Sequence, residues 1–283
     1  MLREAVTQFR RVGLAFGHGT HNARDEAAYL ILHALKLPLD ELDAVLDRQL
    51  NAGELLKVRA ILRRRERERR PAAYLTREAW LGRFRFYVDE RAIVPRSFIA
   101  ELLRDGLAPW IADARRVHHV LDLCTGSGCL AVLAAKAFPK AAIDAADLSA
   151  EALQVARRNV KDYALTKRVR LVRGDLFDRL KARRYDLILA NPPYVTAASM
   201  RTLPREYRRE PRLALAGGRD GLALVHRMLA EAARHLNPQG LLLVEIGHNR
   251  AALEKAYPRL PFIWVETSAG CDLVFLLQRE DLP

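Results

Sequence analysis

From residue 98 onward, short apolar runs alternate with amphipathic stretches, the pattern of strands and helices taking turns. Residues 117–123, 141–146, 169–172, 185–190 and 240–247 read as buried strands. The helices between them fall at 98–113, 128–138, 150–163 and 221–236, with a short one at 251–257. Ser97 and Ser149 are placed to cap two of them, and Pro139 and Asn237-Pro238 to end two others. Two last strands, 262–266 and 272–277, have room for only a tight turn between them and are therefore expected to be antiparallel. Residues 195–220 show little periodicity. The expectation is an α/β fold with a mostly parallel seven-stranded sheet.

Residues 1–78 read differently. Helical spacing recurs through Leu2, Val6 and Phe9; a helix opens after Asn22 or Asp25 and stops near Leu37-Pro38; 39–50 is a shorter amphipathic piece; a strong helix covers 52–70, ended by Pro71. Phe84–Val88 and Arg91–Val94 flank the polar pair Asp89-Glu90, which suggests a β-hairpin closed by Pro95. The organisation expected is a helical domain at 1–78, a hairpin linker at 79–95 and an α/β domain at 96–283.

Composition changes this picture little. Half of the 283 residues are hydrophobic, enough for a sizeable core. No uncharged apolar run approaches the ~18 residues needed to span a membrane. The basic, amphipathic start leaves a transit peptide open, against which Glu4 counts. Three cysteines make no disulfide framework, so a reducing compartment, the cytoplasm, is expected. Cys124 and Cys129 lie near His118 and His119, but no second CxxC pair supports a metal site, and no metal is expected. The net charge of +13 favours a polyanionic neighbour such as DNA, RNA or a ribosomal particle, and is equally compatible with an Arg-rich genome and no such contact. The segment 57–70 holds eight basic and two acidic residues. A solvated face with i,i+4 pairs and a patch for RNA or an acidic partner are both open readings of it.

The candidate chemistry sits at strand ends. Gly126, Gly128 and Ala131 make G-x-G-x-x-A after one strand and into a helix, with Ser127 inside the turn. Such a turn lets a ligand approach the backbone. Asp147, close to the ~20-residue spacing of a ribose-binding acid, follows the next strand. The pattern also serves NAD. Asp122 discriminates, because a carboxylate there can accept from an ammonium group but repels a pyrophosphate. Asp175, with Leu176 and Phe177 as apolar walls, can accept from an adenine amino group or simply cap the next helical turn. The indicated cofactor is S-adenosylmethionine, with S-adenosylhomocysteine as product.

Asn191-Pro192-Pro193-Tyr194 closes the 185–190 strand. Two prolines donate no N–H and leave stiff carbonyl acceptors. A planar NH₂ can then donate to the Asn191 side chain and to the Pro192 carbonyl, with Tyr194 packing on the flat acceptor. Asn191, Pro192 and Tyr194 are the catalytic candidates, and Pro193 joins them in binding substrate.

These motifs resemble Class I (Rossmann-like) methyltransferases, and within them the protein glutamine methyltransferases. Val94-Pro95-Arg96 and the stretch from Glu210-Pro211-Arg212 to Gly221-Leu222 match that family. Phe16-Gly17-His18-Gly19-Thr20, Asp25-Glu26-Ala27, residues 71–76 with Trp80, 86–91, and Cys124-Thr125-Gly126-Ser127-Gly128-Cys129 resemble the branch acting on large-subunit ribosomal protein L-three rather than the release-factor branch. Ala269-Gly270-Cys271-Asp272 departs from the Gly-rich turn more usual there. The resemblance implies methylation of a glutamine amide nitrogen, with ribosomal protein L-three as partner within an assembling subunit and rRNA nearby, and no membrane. It implies that the N-terminal helices grip the substrate and that Arg96 lies near the site; His18 reads as functional or as a turn-forming structural residue. Rival readings are a DNA or RNA amino methyltransferase and a non-enzymatic ribosome-assembly factor.

Overall fold

The strands of the computed structural model, which describes residues 1–180 and 183–283, sort into two sheets. Ahead of both lie helices α1 (Leu2–Arg11), α2 (Ala23–Leu35), α3 (Leu42–Val45), α4 (Ala52–Glu68) and α5 (Ala72–Thr76). Asn22 caps α2 by accepting from the N–H groups of Arg24 and Asp25. Asn51 and Glu54 form a reciprocal capping box on α4. Phe9, Ala27, Leu30, Val58 and Leu62 fill the space between these helices. The basic helix is not a uniformly solvated face. Arg65 is fully buried on its inner side, donating to Glu26 at 2.7 Å and to the Ala15 carbonyl at 2.9 Å.

The small sheet pairs β1 (Glu78–Leu81) with β2 (Phe84–Tyr87) around Gly82, whose φ of 56° suits the turn. This corrects the hairpin expected about Asp89-Glu90. Asp89 instead accepts from the backbone N–H and guanidinium of Arg91, curling the chain so that 91–94 pairs with no strand among the described residues.

The large sheet holds β3 (His119–Leu123), β4 (Ala142–Asp147), β5 (Val169–Arg173), β6 (Tyr185–Ala190), β7 (Leu236–Glu245), β8 (Ile263–Thr267) and β9 (Gly270–Gln278). Their spatial order is β5-β4-β3-β6-β7-β9-β8, parallel except for β9, which is antiparallel to both of its neighbours. Both faces are covered, as the continuous apolar runs require. Leu187 and Leu189 of β6 join one buried cluster, Ile188 and Ala190 the other. Helices α6 (Ile99–Arg104), α7 (Cys129–Ala137), α8 (Ala150–Asp162), α9 (Ala197–Thr202), α10 (Ala223–His235) and α11 (Arg250–Ala256) complete the element order.

Several boundaries differ from the sequence reading, two of them informatively. Helix α6 stops at Arg104 instead of 113, because Gly106 and Leu107 take left-handed conformations. Strand β7 begins at Leu236, so Asn237-Pro238 lies in an irregular strand start opposite Tyr185. Among the described residues, no helix is long and apolar enough to cross a membrane. Strand order reverses between β3 and β6, and ligand sites in such sheets lie beyond the carboxyl ends at that point.

Candidate active site

The turn after β3 is held from behind. Asp122 is buried, accepts from the Thr125 hydroxyl and from the Ala131 N–H at 3.0 Å, and is pushed up to about 7 by that burial. The Thr125 N–H donates to the Ala146 carbonyl of the next strand. Gly126 and Gly128 both have positive φ, for different reasons. A Cβ on Gly128 would meet Ala156 at 3.0 Å, so this glycine lets α7 and α8 pack closely. A Cβ on Gly126 would meet nothing nearer than Ile93 at 3.7 Å, so this glycine presents open backbone to the cavity. The Gly126 N–H donates to Asp147 at 2.8 Å, and the other Asp147 oxygen accepts from Ser149 at 2.8 Å. Burial raises the Asp147 carboxyl above its ordinary range.

The loop after β6 is clamped by glycines. Added Cβ atoms would stand 2.7 Å from the Tyr194 Cα at Gly217 and 2.5 Å from the Tyr194 carbonyl at Gly221. Asn249 donates its side-chain N–H to that same carbonyl at 2.9 Å. Val195 bridges to Ala216, fixing the exit of the loop. Burial pushes the Tyr194 phenol upward.

Both loops open on one cavity of about 1410 Å³. Gly126, Ser127, Asp147, Asp175 and Leu176 line it, and so do Asn191, Pro192, Pro193 and Tyr194. Three sequence candidates do not reach it. Asp122 and Gly128 stand behind the turn they support, and Phe177 is a core residue stacked on His235 at 4.5 Å. The Asp175 carboxylate is paired with Arg227 at 3.0 Å. Arg96 does border the cavity, where it grips Glu210 through two 2.6 Å hydrogen bonds.

Sequence reasoning missed Glu245, which lines the same cavity from the end of β7. It accepts from the Ser97 hydroxyl at 2.7 Å and from the Phe98 N–H at 2.9 Å, and burial pushes it up to about 7. The signal was a lone acid at the end of an apolar strand. The hydrophobic run hid it.

A parallel sheet with one inserted antiparallel strand, carrying a glycine turn and an Asn-Pro-Pro-Tyr loop at its switch point, defines a Rossmann-like methyltransferase. Residues 107–204 match the family model for a methyltransferase small domain, and residues 2–76 match the PrmC N-terminal domain. The hMettl16 catalytic domain, solved in complex with an RNA hairpin, shares the fold at a TM-score of 0.52 and 14% identity, covering 81% of this chain and 86% of that one. Similarity to curated relatives runs the full length of this chain. The ribosomal protein uL3 glutamine methyltransferase of Neisseria meningitidis serogroup B is 59% identical, covering 100% of this chain and 93% of the relative. The proteins of the same name from Burkholderia pseudomallei (55%; 100% and 94% covered) and Bradyrhizobium diazoefficiens (47%; 99% and 90%) agree. The chain belongs to the ribosomal protein uL3 glutamine methyltransferase family.

Proposed function

We propose that the chain transfers a methyl group from S-adenosylmethionine to the side-chain amide nitrogen of a glutamine in ribosomal protein uL3, leaving S-adenosylhomocysteine and releasing one amide proton. The observation that carries this reading is the single cavity into which both strand-end loops open. The names of the relatives supply the acceptor.

The residues present fit the cofactor. Gly126 offers open backbone, Asp147 two carboxylate oxygens suited to a ribose diol, and Leu176 an apolar wall. Ser127 and Asp175 complete the contacting set, while Asp122, Gly128 and Phe177 act by holding that set in place. Bound there, S-adenosylmethionine supplies an electrophilic methyl carbon on a sulfonium.

The acceptor amide is a weak nucleophile, because its lone pair is delocalised into the carbonyl. Asn191 and the Pro192 carbonyl accept its two hydrogens, fix the nitrogen toward the methyl group and draw the lone pair out of conjugation. Pro193 keeps the loop stiff, and Tyr194 covers the amide face. Residues 1–78 form the substrate-recognition domain and 79–95 the linker to the catalytic domain at 96–283.

The segment 195–220 also favours a ribosomal particle, with rRNA nearby, as the setting of the reaction. Its Arg201, Arg205, Arg208, Arg209, Arg212 and Arg219 are exposed, while its Glu206 and Glu210 turn inward to Arg69 and Arg96. The reaction is placed in the cytoplasm, where ribosomal proteins are made. The test is transfer of radiolabelled methyl to purified uL3, to uL3 with its target glutamine changed to alanine, and to a peptide release factor. Label on wild-type uL3 alone is the expected result. Label on release factor alone, or on none, rejects the assignment.

A further inference from the structure

The loop between α1 and α2 reaches the catalytic cavity. Gly17, Gly19 and His21 line it together with Asn191 and Tyr194. His18, between the two glycines, turns the other way and is buried. Its ring lies 4.2 Å from the Tyr207 ring, and its Nε2 is 3.4 Å from a Glu210 oxygen. The contact is interlocked. The Tyr207 hydroxyl donates to the Phe16 carbonyl at 3.2 Å, and a Cβ on Gly17 would stand 2.3 Å from that hydroxyl.

Glu210 does not need His18 as a counter-charge. Arg96 grips both of its oxygens, and the Val94 N–H donates to it at 3.0 Å. Burial would raise this carboxyl, yet the Arg96 guanidinium beside it holds it at about 2. Neither imidazole nitrogen makes an aligned hydrogen bond, although both are buried. Leaving buried polar atoms in that condition costs free energy, and native structures keep few of them. What the imidazole does achieve is spacing. Packed against Tyr207 and drawn toward Glu210, it sets how far the 16–21 loop stands from the wall bearing Tyr207, Pro211 and Leu213, all of which border the cavity.

We propose that His18 is a positioning residue that holds the 16–21 loop as a rim, against which the substrate protein is seated beside the methylated glutamine. This rests on the function proposed above and adds to it how the N-terminal domain takes part in binding at the catalytic cavity.

The test is steady-state methylation of uL3 by His18→Ala, with S-adenosylhomocysteine affinity by calorimetry and thermal melting measured alongside. The KM for uL3 is expected to rise about tenfold, with kcat within about threefold of wild type, the pattern of lost uniform binding. Cofactor-product affinity should not change. His18→Gln, which keeps a planar group and an N–H, should restore most of the KM. Should His18→Ala not fold, Gly17→Ala carries the same test, since its methyl group must push the loop off Tyr207 while His18 stays; the same rise in KM is expected. An unchanged KM, or a kcat that falls only in step with the folded fraction, makes His18 a packing residue and overturns the proposal. Wild-type protein that fails to methylate uL3 would remove the underlying reading as well, and is distinguished by appearing before any substitution.

Discussion

Gly247 faces the ring of Tyr194 with no space between them. A Cβ there would stand 2.7 Å from the ring carbon Cε2, and the backbone already sits at a φ of 55° that disfavours side chains. Gly247→Ala is therefore expected to displace the ring from the cavity wall. A shift near 1 Å beside reacting groups can cost about a hundredfold in rate, and a loss of that order in kcat is expected. Single-turnover transfer at saturating cofactor measures it.

Asn191→Ala removes one of the two acceptors assigned to the substrate NH₂. Loss of one oriented polar group in such a site costs about 10²–10³ in kcat. Cofactor affinity should be retained, because the cofactor contacts are assigned to Gly126, Asp147 and their neighbours and not to Asn191. Turnover unchanged with uL3 would remove its catalytic role.

Asp147→Ala works on the other loop. It takes the acceptor from the Gly126 and Ser149 N–H groups and from any ribose hydroxyl. Cofactor affinity is expected to fall by about 1–3 kcal/mol, the scale of hydrogen bonds to a charged group. Calorimetry with S-adenosylhomocysteine reads it directly.

Much of this site is legible in the sequence, and the part that is not has a common cause. Residues 185–190 are placed to the residue, because an apolar run bounded by charges on one side and by Asn-Pro-Pro on the other leaves one register. Gly126, Asp147 and Asn191 are legible because each sits at or just past the end of its own strand, so that local order along the chain becomes adjacency at the switch point. Gly128 and Phe177 carry the right residue types for a ligand but spend them on packing, against Ala156 and His235. The hairpin misleads because Asp89-Glu90 has turn composition, whereas Gly82 has the left-handed backbone. His18, Arg96 and Glu210 are far apart along the chain, and only the tertiary fold brings them together.

Glu245 predicts a pH dependence. Its folded-state value of about 7 lies above the ~4.3 of an unfolded glutamate, so between those values the folded protein keeps a proton that the unfolded chain has released. Stability from this group is thus full at low pH and is lost as pH rises toward 7. Glu245→Gln retains an acceptor for the Ser97 and Phe98 donors but cannot ionise. The variant should gain on wild type by on the order of 2–3 kcal/mol between pH 5 and pH 8. Urea denaturation at the two pH values checks it; equal gaps at both would place the titration elsewhere.

The buried guanidinium of Arg65 lies between Glu26 at 2.7 Å and Glu206 at 3.6 Å, and Arg69 reaches the same Glu206 at 2.8 Å. One of these acids belongs to the leading helices, the other to the segment beyond the catalytic loop. Severing the chain between the two portions would strand ions in a dry interior, where orphaning one member of a pair costs about 3–5 kcal/mol. Neither fragment is then a free-standing module. The leading helices and the catalytic portion are tied through these ions, so a different front grafted onto this protein would have to bring its own partner for Glu206.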